Sequence, residues 1–359
     1  MLKSPLRVKR KDQLLDLHNF DPCADARWQR FLERRSDASV FHTVGWLEAL
    51  RRTYDYEPVV YTTSAPAAEI REALLFCRIN TWLSGRRLVS VPFSDHAALL
   101  VDADYGLQRL LSLVQEEAGA KSCKYIEIRP ATDLSSNLVG LEQSAVFSWH
   151  KLALDEGLDA IYRSFHKNCI QRKIRRAERE GLEYKEGGSE ELIQQFYDLL
   201  LLTHRRHGLP PQPISWFRNL NDCLGGMFTI RVASKNGVPI ASIITLTYKQ
   251  SMIYKYGASD ARYHNLGGMP FLFWRAIQDA TRSGLKEVDM GRSNCTNTGL
   301  VSFKERLGAQ ANKLVYWTYP GKSRPDPNRW DVRAARSIFA LLPTAILSAT
   351  GRLLYRHIG

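Results

Sequence analysis

Six cations, Lys167, Arg172, Lys173, Arg175, Arg176 and Arg179, fall within one short stretch of the chain. Steps of three and four place Arg172, Arg175, Arg176 and Arg179 on one side of a helix, where they could hold phosphate groups. Glu178, Glu180 and Glu183 interleave with them, which is also how an ordinary solvated helix reads. A second basic patch, His204 to His207, could bind an anion or simply neutralise a helix C-terminus. Further on, His264-Asn265-Leu266-Gly267-Gly268-Met269-Pro270 sets two glycines just ahead of a helix. Backbone amides there could receive a phosphate, although Pro270 removes one donor and a plain tight turn would read the same way. Asp289 ends LKEVDM beside Gly291-Arg292-Ser293, where a carboxylate could accept a proton or cap the next turn. The cysteines at 23, 77, 123, 169, 223 and 295 form no Cys-x-x-Cys pair, so neither structural zinc nor a disulfide framework is expected and no metal ligand is assigned.

Positioning these groups requires a scaffold, and 359 residues suit two hydrophobic cores better than one. Strand, turn, strand, strand, loop, helix, strand occurs twice, roughly 170 residues apart, which duplication of one mixed α/β (α+β) unit explains most simply. The first copy runs from an extended stretch at 58–63 through 73–79 and 87–91 to a helix near 105–118 and a strand at 125–130. In the second, strands at 228–233, 239–247 and 252–257 precede a helix from Pro270 to Gly284 and the strand LKEVDM. Lys235-Asn236-Gly237 marks a hairpin, because Asn and Gly accept positive φ. Helices are expected at VGWLEALRR, over 165–179 and over 189–207, the last opened by a Ser189 cap. The units are placed at 1–155 and 156–325, with an apolar and basic tail at 326–359 that either packs on the body or lies at a membrane interface. A formal charge of +13 favours an anionic partner: a phosphorylated sugar or lipid precursor, tRNA or CoA. The first twenty residues hold no apolar run that could act as a signal-peptide core, so the cytosol is the expected compartment, with peripheral contact to the inner membrane face through the tail.

The ordered phrases FHKNCIQRKIRRAEREGLEY, THRRHGLP, IYKYGASD, FLFWRAIQDATRSG, VDMGRS and GLVSFKERLGA resemble FemAB-like proteins and the related acetyltransferase domain of exopolysaccharide and cellulose biosynthesis proteins. FHTVGWLEALRRTY and VSVPFSDHAALL resemble the N-terminal unit of the same family. The resemblance implies two tandem GNAT-like units, each a mixed, mainly antiparallel twisted sheet flanked by helices, with the transfer site in the second. It implies an acyl- or aminoacyl-transferase acting on an amine of a cell-envelope or exopolysaccharide precursor, with no tightly bound cofactor and either aminoacyl-tRNA or acyl-CoA as donor. The long charged coiled-coil insertion of some FemAB members is missing, and the 264–270 loop departs from the Q/R-x-x-G-x-G/A form of CoA-binding acetyltransferases. A non-catalytic module that binds an anionic glycolipid or tRNA is the alternative. Within the resemblance, Asp289, Lys304 and Tyr256 become the catalytic candidates, with Lys304 expected to meet a phosphate or developing oxyanion. Lys167, Arg172, Arg175, Arg176, Arg179, Arg292, Gly267, Gly268 and Phe303 become the substrate- and phosphate-binding candidates.

Overall fold

A computed structural model describes residues 16–102, 104–134, 140–320 and 344–358. The first half contains β1 (His18–Phe20), α1 (Ala26–Arg34), α2 (Val44–Tyr54), β2 (Glu57–Thr62), β3 (Leu74–Thr81), β4 (Gly85–Val89), α3 (Asp104–Ala120), β5 (Ile126–Ile128) and β6 (Glu142–Ala153). The second contains α4 (Leu158–Ser164), α5 (Arg172–Arg179), β7 (Glu183–Gly187), α6 (Glu190–His207), α7 (Ile214–Leu224), β8 (Phe228–Lys235), β9 (Val238–Tyr248), β10 (Ser251–Ser259), α8 (Gly268–Arg282), β11 (Glu287–Asn294), α9 (Thr298–Arg306) and β12 (Gln310–Tyr319). A last helix, α10, covers Thr344–Ile358.

All the strands join one sheet in the order β1-β2-β3-β4-β5-β12-β6-β11-β10-β9-β8-β7. Exchanging β1–β6 with β7–β12 leaves this order unchanged, as a duplicated unit related by a two-fold axis requires. The halves are not separate bodies, because the last strand of each sits in the other's territory: β6 pairs with β11, and β12 pairs with β5. The expected division at 155/156 falls in the chain between β6 and α4, while the sheet runs through it. Among the described residues, only β4–β5 and β10–β11 are parallel, each joined through a crossover helix, α3 or α8.

Local chemistry explains most boundaries. Asn236 and Gly237 both take positive φ (51° and 75°), the geometry of a two-residue hairpin between β8 and β9. Ser189 Oγ accepts from the Leu192 amide at 3.3 Å to open α6, and left-handed Gly208 closes it. The helix expected over 165–179 begins later. Phe165 is extended, Lys167–Gln171 make a single π turn, and regular α5 starts at Arg172.

One sheet face carries α2 and α7, packed on each other across the pseudo-axis with Trp46 and Trp216 edge to face at 5.3 Å. Gly45 permits this approach, since a Cβ there would lie 2.4 Å from the Cys223 carbonyl. On the opposite face, α5 and α8 cover the second half and α3 covers the first. The tail is described only from Thr344, so the expected boundary at 325/326, with Arg333, Arg336 and Pro343, lies outside the described residues. The described part packs on the body: Tyr56 Oη donates to the carbonyls of Tyr355 and Arg356 at 3.0 and 3.1 Å. Among the described residues, no helix is long and apolar enough to cross a membrane.

Candidate active site

β10 and β11 run side by side only from Ser251/Glu287 to Ile253/Asp289 and then part. Both strands bulge where they separate, β10 between Tyr254 and Tyr256, β11 between Asp289 and Arg292. A bulge twists its strand and breaks pairing, so past Ile253 the β11 side of β10 is left without a strand partner. Gly291, at φ 67°, sits in the gap; a Cβ there would lie 3.1 Å from an Asp95 carboxylate oxygen and 3.3 Å from the Tyr254 carbonyl.

On the α8 face a cavity of about 470 Å³ opens beside this gap. Its floor is Ala241 and Tyr254, one wall is the first turn of α8, and the other is α9 through Leu300 and Phe303. Tyr254 lines it with a hydroxyl that makes no hydrogen bond among the described residues. Burial raises the pKa of that phenol, with Asp95 adding to the effect, so it stays protonated. Gly267 and Gly268 let the start of α8 come close: at Gly267 φ is 82° and a Cβ would lie 2.4 Å from the Lys173 carbonyl. The first amides of α8 have no acceptor within the helix and lie at the cavity wall. Arg172, Lys173, His264 and Arg306 line the same end. His264 has its pKa lowered by burial and then by the cations Arg206 and Lys173, so this end is electropositive.

Residues 164–304 match the family model of an acetyltransferase (GNAT) domain. This segment is thus similar to a GNAT domain. It includes the parted strands and nearly all of the cavity, ending just short of Arg306. No curated protein matches the chain in sequence. Among solved structures, FemX shares 14% identity at a TM-score of 0.66, with 84% of this chain and 96% of that one aligned. A tandem GNAT protein from the clavulanic acid biosynthesis pathway shares 14% identity at a TM-score of 0.54, over 86% of this chain and all of that one. The C-terminal domain of a putative lysylphosphatidylglycerol synthetase from Agrobacterium fabrum shares 15% identity at a TM-score of 0.52, over 90% and 95% of the two chains. These likenesses establish the tandem GNAT fold.

The candidate residues divide around the GNAT cavity. Arg172, Gly268 and Phe303 line it, and Gly267 shapes its rim. Lys167, Arg175, Arg176 and Arg179 do not line it, and Arg176 faces Glu180 at 3.8 Å. Tyr256 points to the opposite sheet face, where its oxygen accepts from Trp216 Nε1 at 2.9 Å and it meets Phe217 edge on. Lys304 is buried rather than turned to a ligand: its Nζ donates to the carbonyls of Gly291 and Arg292 at 2.8 and 3.3 Å. Burial pushes its pKa down to about 8, against the pull of Asp95 and Asp289.

Asp289 is also buried and fully engaged, accepting from His96 Nε2 at 2.7 Å, Trp149 Nε1 at 2.8 Å and the Gly291 amide at 2.7 Å. Burial alone would raise its pKa, but the hydrogen bond and charge of His96, with the Gly291 amide and Trp149, hold it below the usual value. It therefore serves as an anionic clamp on the β11 bulge. Arg292 stacks on Phe147 at 4.3 Å and lies 3.6 Å from Asp95, which also pairs with Lys255 at 3.0 Å. Sequence reasoning singled out the backbone of 254–258 but passed over the side chains of Tyr254, His96, Asp95 and Lys255. For Tyr254 a signal was present, since it shares IYKYGASD with Tyr256.

Proposed function

We propose that the protein is an acyl- or aminoacyl-transferase whose donor occupies the GNAT cavity and whose acceptor is an amine of a cell-envelope or exopolysaccharide precursor. The observation that carries this reading is that one cavity joins an unbonded, protonated Tyr254 hydroxyl to free helix-terminal amides and the cations Arg172, Lys173 and Arg306. A phosphate-bearing donor, acyl-CoA or aminoacyl-tRNA, places its phosphates at the cationic end. Its carbonyl then lies in the gap, where an amide on the free side of β10, within Tyr254 to Ala258, accepts charge developing on oxygen. The acceptor nitrogen, as the free amine, bonds to the carbonyl carbon, and the carbon–sulfur or carbon–oxygen bond of the donor breaks. Tyr254 supplies a proton to the departing atom, and the proton lost by the amine passes to water or to a phosphate of the acceptor.

Mass spectrometry of the purified protein for bound CoA or tRNA identifies the donor class, and turnover is then measured with it. Tyr254→Phe is expected to keep donor affinity and lower turnover about 100-fold or more. Paired Arg172→Gln and Lys173→Gln changes are expected to weaken donor binding about tenfold while sparing the fold. Donor binding without turnover in the unaltered chain would favour the non-catalytic module instead.

A further inference from the structure

The turn joining β3 to β4 projects Trp82 and Leu83 into solvent, 85% and 55% exposed. This tip is held in shape: Thr81 Oγ1 accepts from the Ser84 amide at 3.2 Å, and Gly85 takes φ 74°. Next to it lies the end of α10, with Trp82 edge on to His357 at 5.6 Å and Arg87 Nη2 donating to the His357 carbonyl at 2.7 Å. α10 is pressed onto the body at Gly351, where a Cβ would lie 1.9 Å from the Pro211 carbonyl, and through Tyr355, whose hydroxyl donates to the Pro210 carbonyl at 3.3 Å. Its outward stripe shows Ile346 and Leu353, 51% and 65% exposed. Around this apolar surface stand exposed Arg86 and Lys124 at the hairpin and Arg352 on α10, none in an ion pair among the described residues.

We infer that the β3–β4 tip and the outer stripe of α10 together form a docking surface for an anionic lipid bilayer. A protruding Trp sits well at headgroup depth, Leu side chains reach the acyl layer, and exposed cations in no ion pair among the described residues meet lipid phosphates. A protein partner is a poorer fit, because the centre of such an interface is depleted of charge, and a nucleic acid gives no return for burying Leu83 and Leu353. This surface lies outside the GNAT cavity and does not depend on the reaction performed there.

The full chain is tested for co-sedimentation with phosphatidylcholine vesicles, with and without phosphatidylglycerol, over a range of salt. Binding is expected only with the anionic lipid and is expected to fall with salt, since exposed charges are screened over about 8 Å at physiological ionic strength. Trp82→Ala with Leu83→Ala, and separately Leu353→Ser, should weaken binding at least tenfold, with far-ultraviolet circular dichroism and thermal midpoint unchanged because these side chains are exposed. Arg86→Gln, Lys124→Gln and Arg352→Gln together should flatten the salt dependence. Variants that bind as tightly as the parent overturn the inference. So does a parent chain that ignores both vesicle types, or that instead self-associates through this surface.

Discussion

Lys304 ties the backbone of the β11 bulge, so Lys304→Ala is expected to cost stability along with turnover. The buried Gly291 carbonyl and the half-buried Arg292 carbonyl lose their donor, a loss of about 1–3 kcal/mol that urea unfolding would register. Its protonation gives a second signature. With a folded pKa of about 8 against an ordinary 10.5, the folded chain releases the proton first as pH rises. Below 8 both states carry the charge, and between 8 and 10.5 the unfolded state binds more protons. The stability advantage of the parent over Lys304→Ala should therefore grow through that window. A difference that stays flat with pH would show that the buried lysine keeps its ordinary pKa. At this scale the sequence misleads for a physical reason. Tyr254 and Tyr256 are two apart and would share a face on a regular strand, but the bulge between them turns one into the cavity and the other into the aromatic core. The Asp289–His96 contact joins residues 193 positions apart, and no local pattern announces it.

At the scale of elements, the close approach of α5 and α8 makes Gly267 sensitive to a single methyl group. Gly267→Ala adds a Cβ at positive φ and 2.4 Å from the Lys173 carbonyl, so α5 must shift. The expected outcome is a loss of more than about 1 kcal/mol and weaker donor binding, read by thermal melting with and without donor. Little change in either would mean that α5 gives way at no cost. Elements were the most legible level of the sequence. Asn236-Gly237, the Ser189 cap and Gly208 announce turns and helix ends through local backbone chemistry, and each element boundary follows them. The π turn at Lys167–Gln171 was hidden, because its residues have ordinary helical propensity and the turn depends on Phe165 seating in the core. The basic face of α5 was visible, but only Arg172 and Lys173 reach the cavity, which depends on where α8 lies.

For the whole molecule, the repeat was legible in the sequence while the exchange of final strands was not, since register between distant strands leaves no periodic trace. Fragments cut at 155/156 are expected to fail alone: the first lacks β12 beside β5, and the second lacks β6 beside β11. Mixed together, each supplies the other's missing strand, so the pair should co-elute as one folded species in size-exclusion chromatography. Two fragments that are each folded and monomeric would refute this coupling. The same exchange bears on biosynthesis. As the chain leaves the ribosome, the first half has every strand of its own repeat long before 310–319 emerge, yet the outer edge of β5 must wait for them. The nascent protein thus carries an unpaired strand edge for about half of its translation, the stage at which a chaperone would have most to protect.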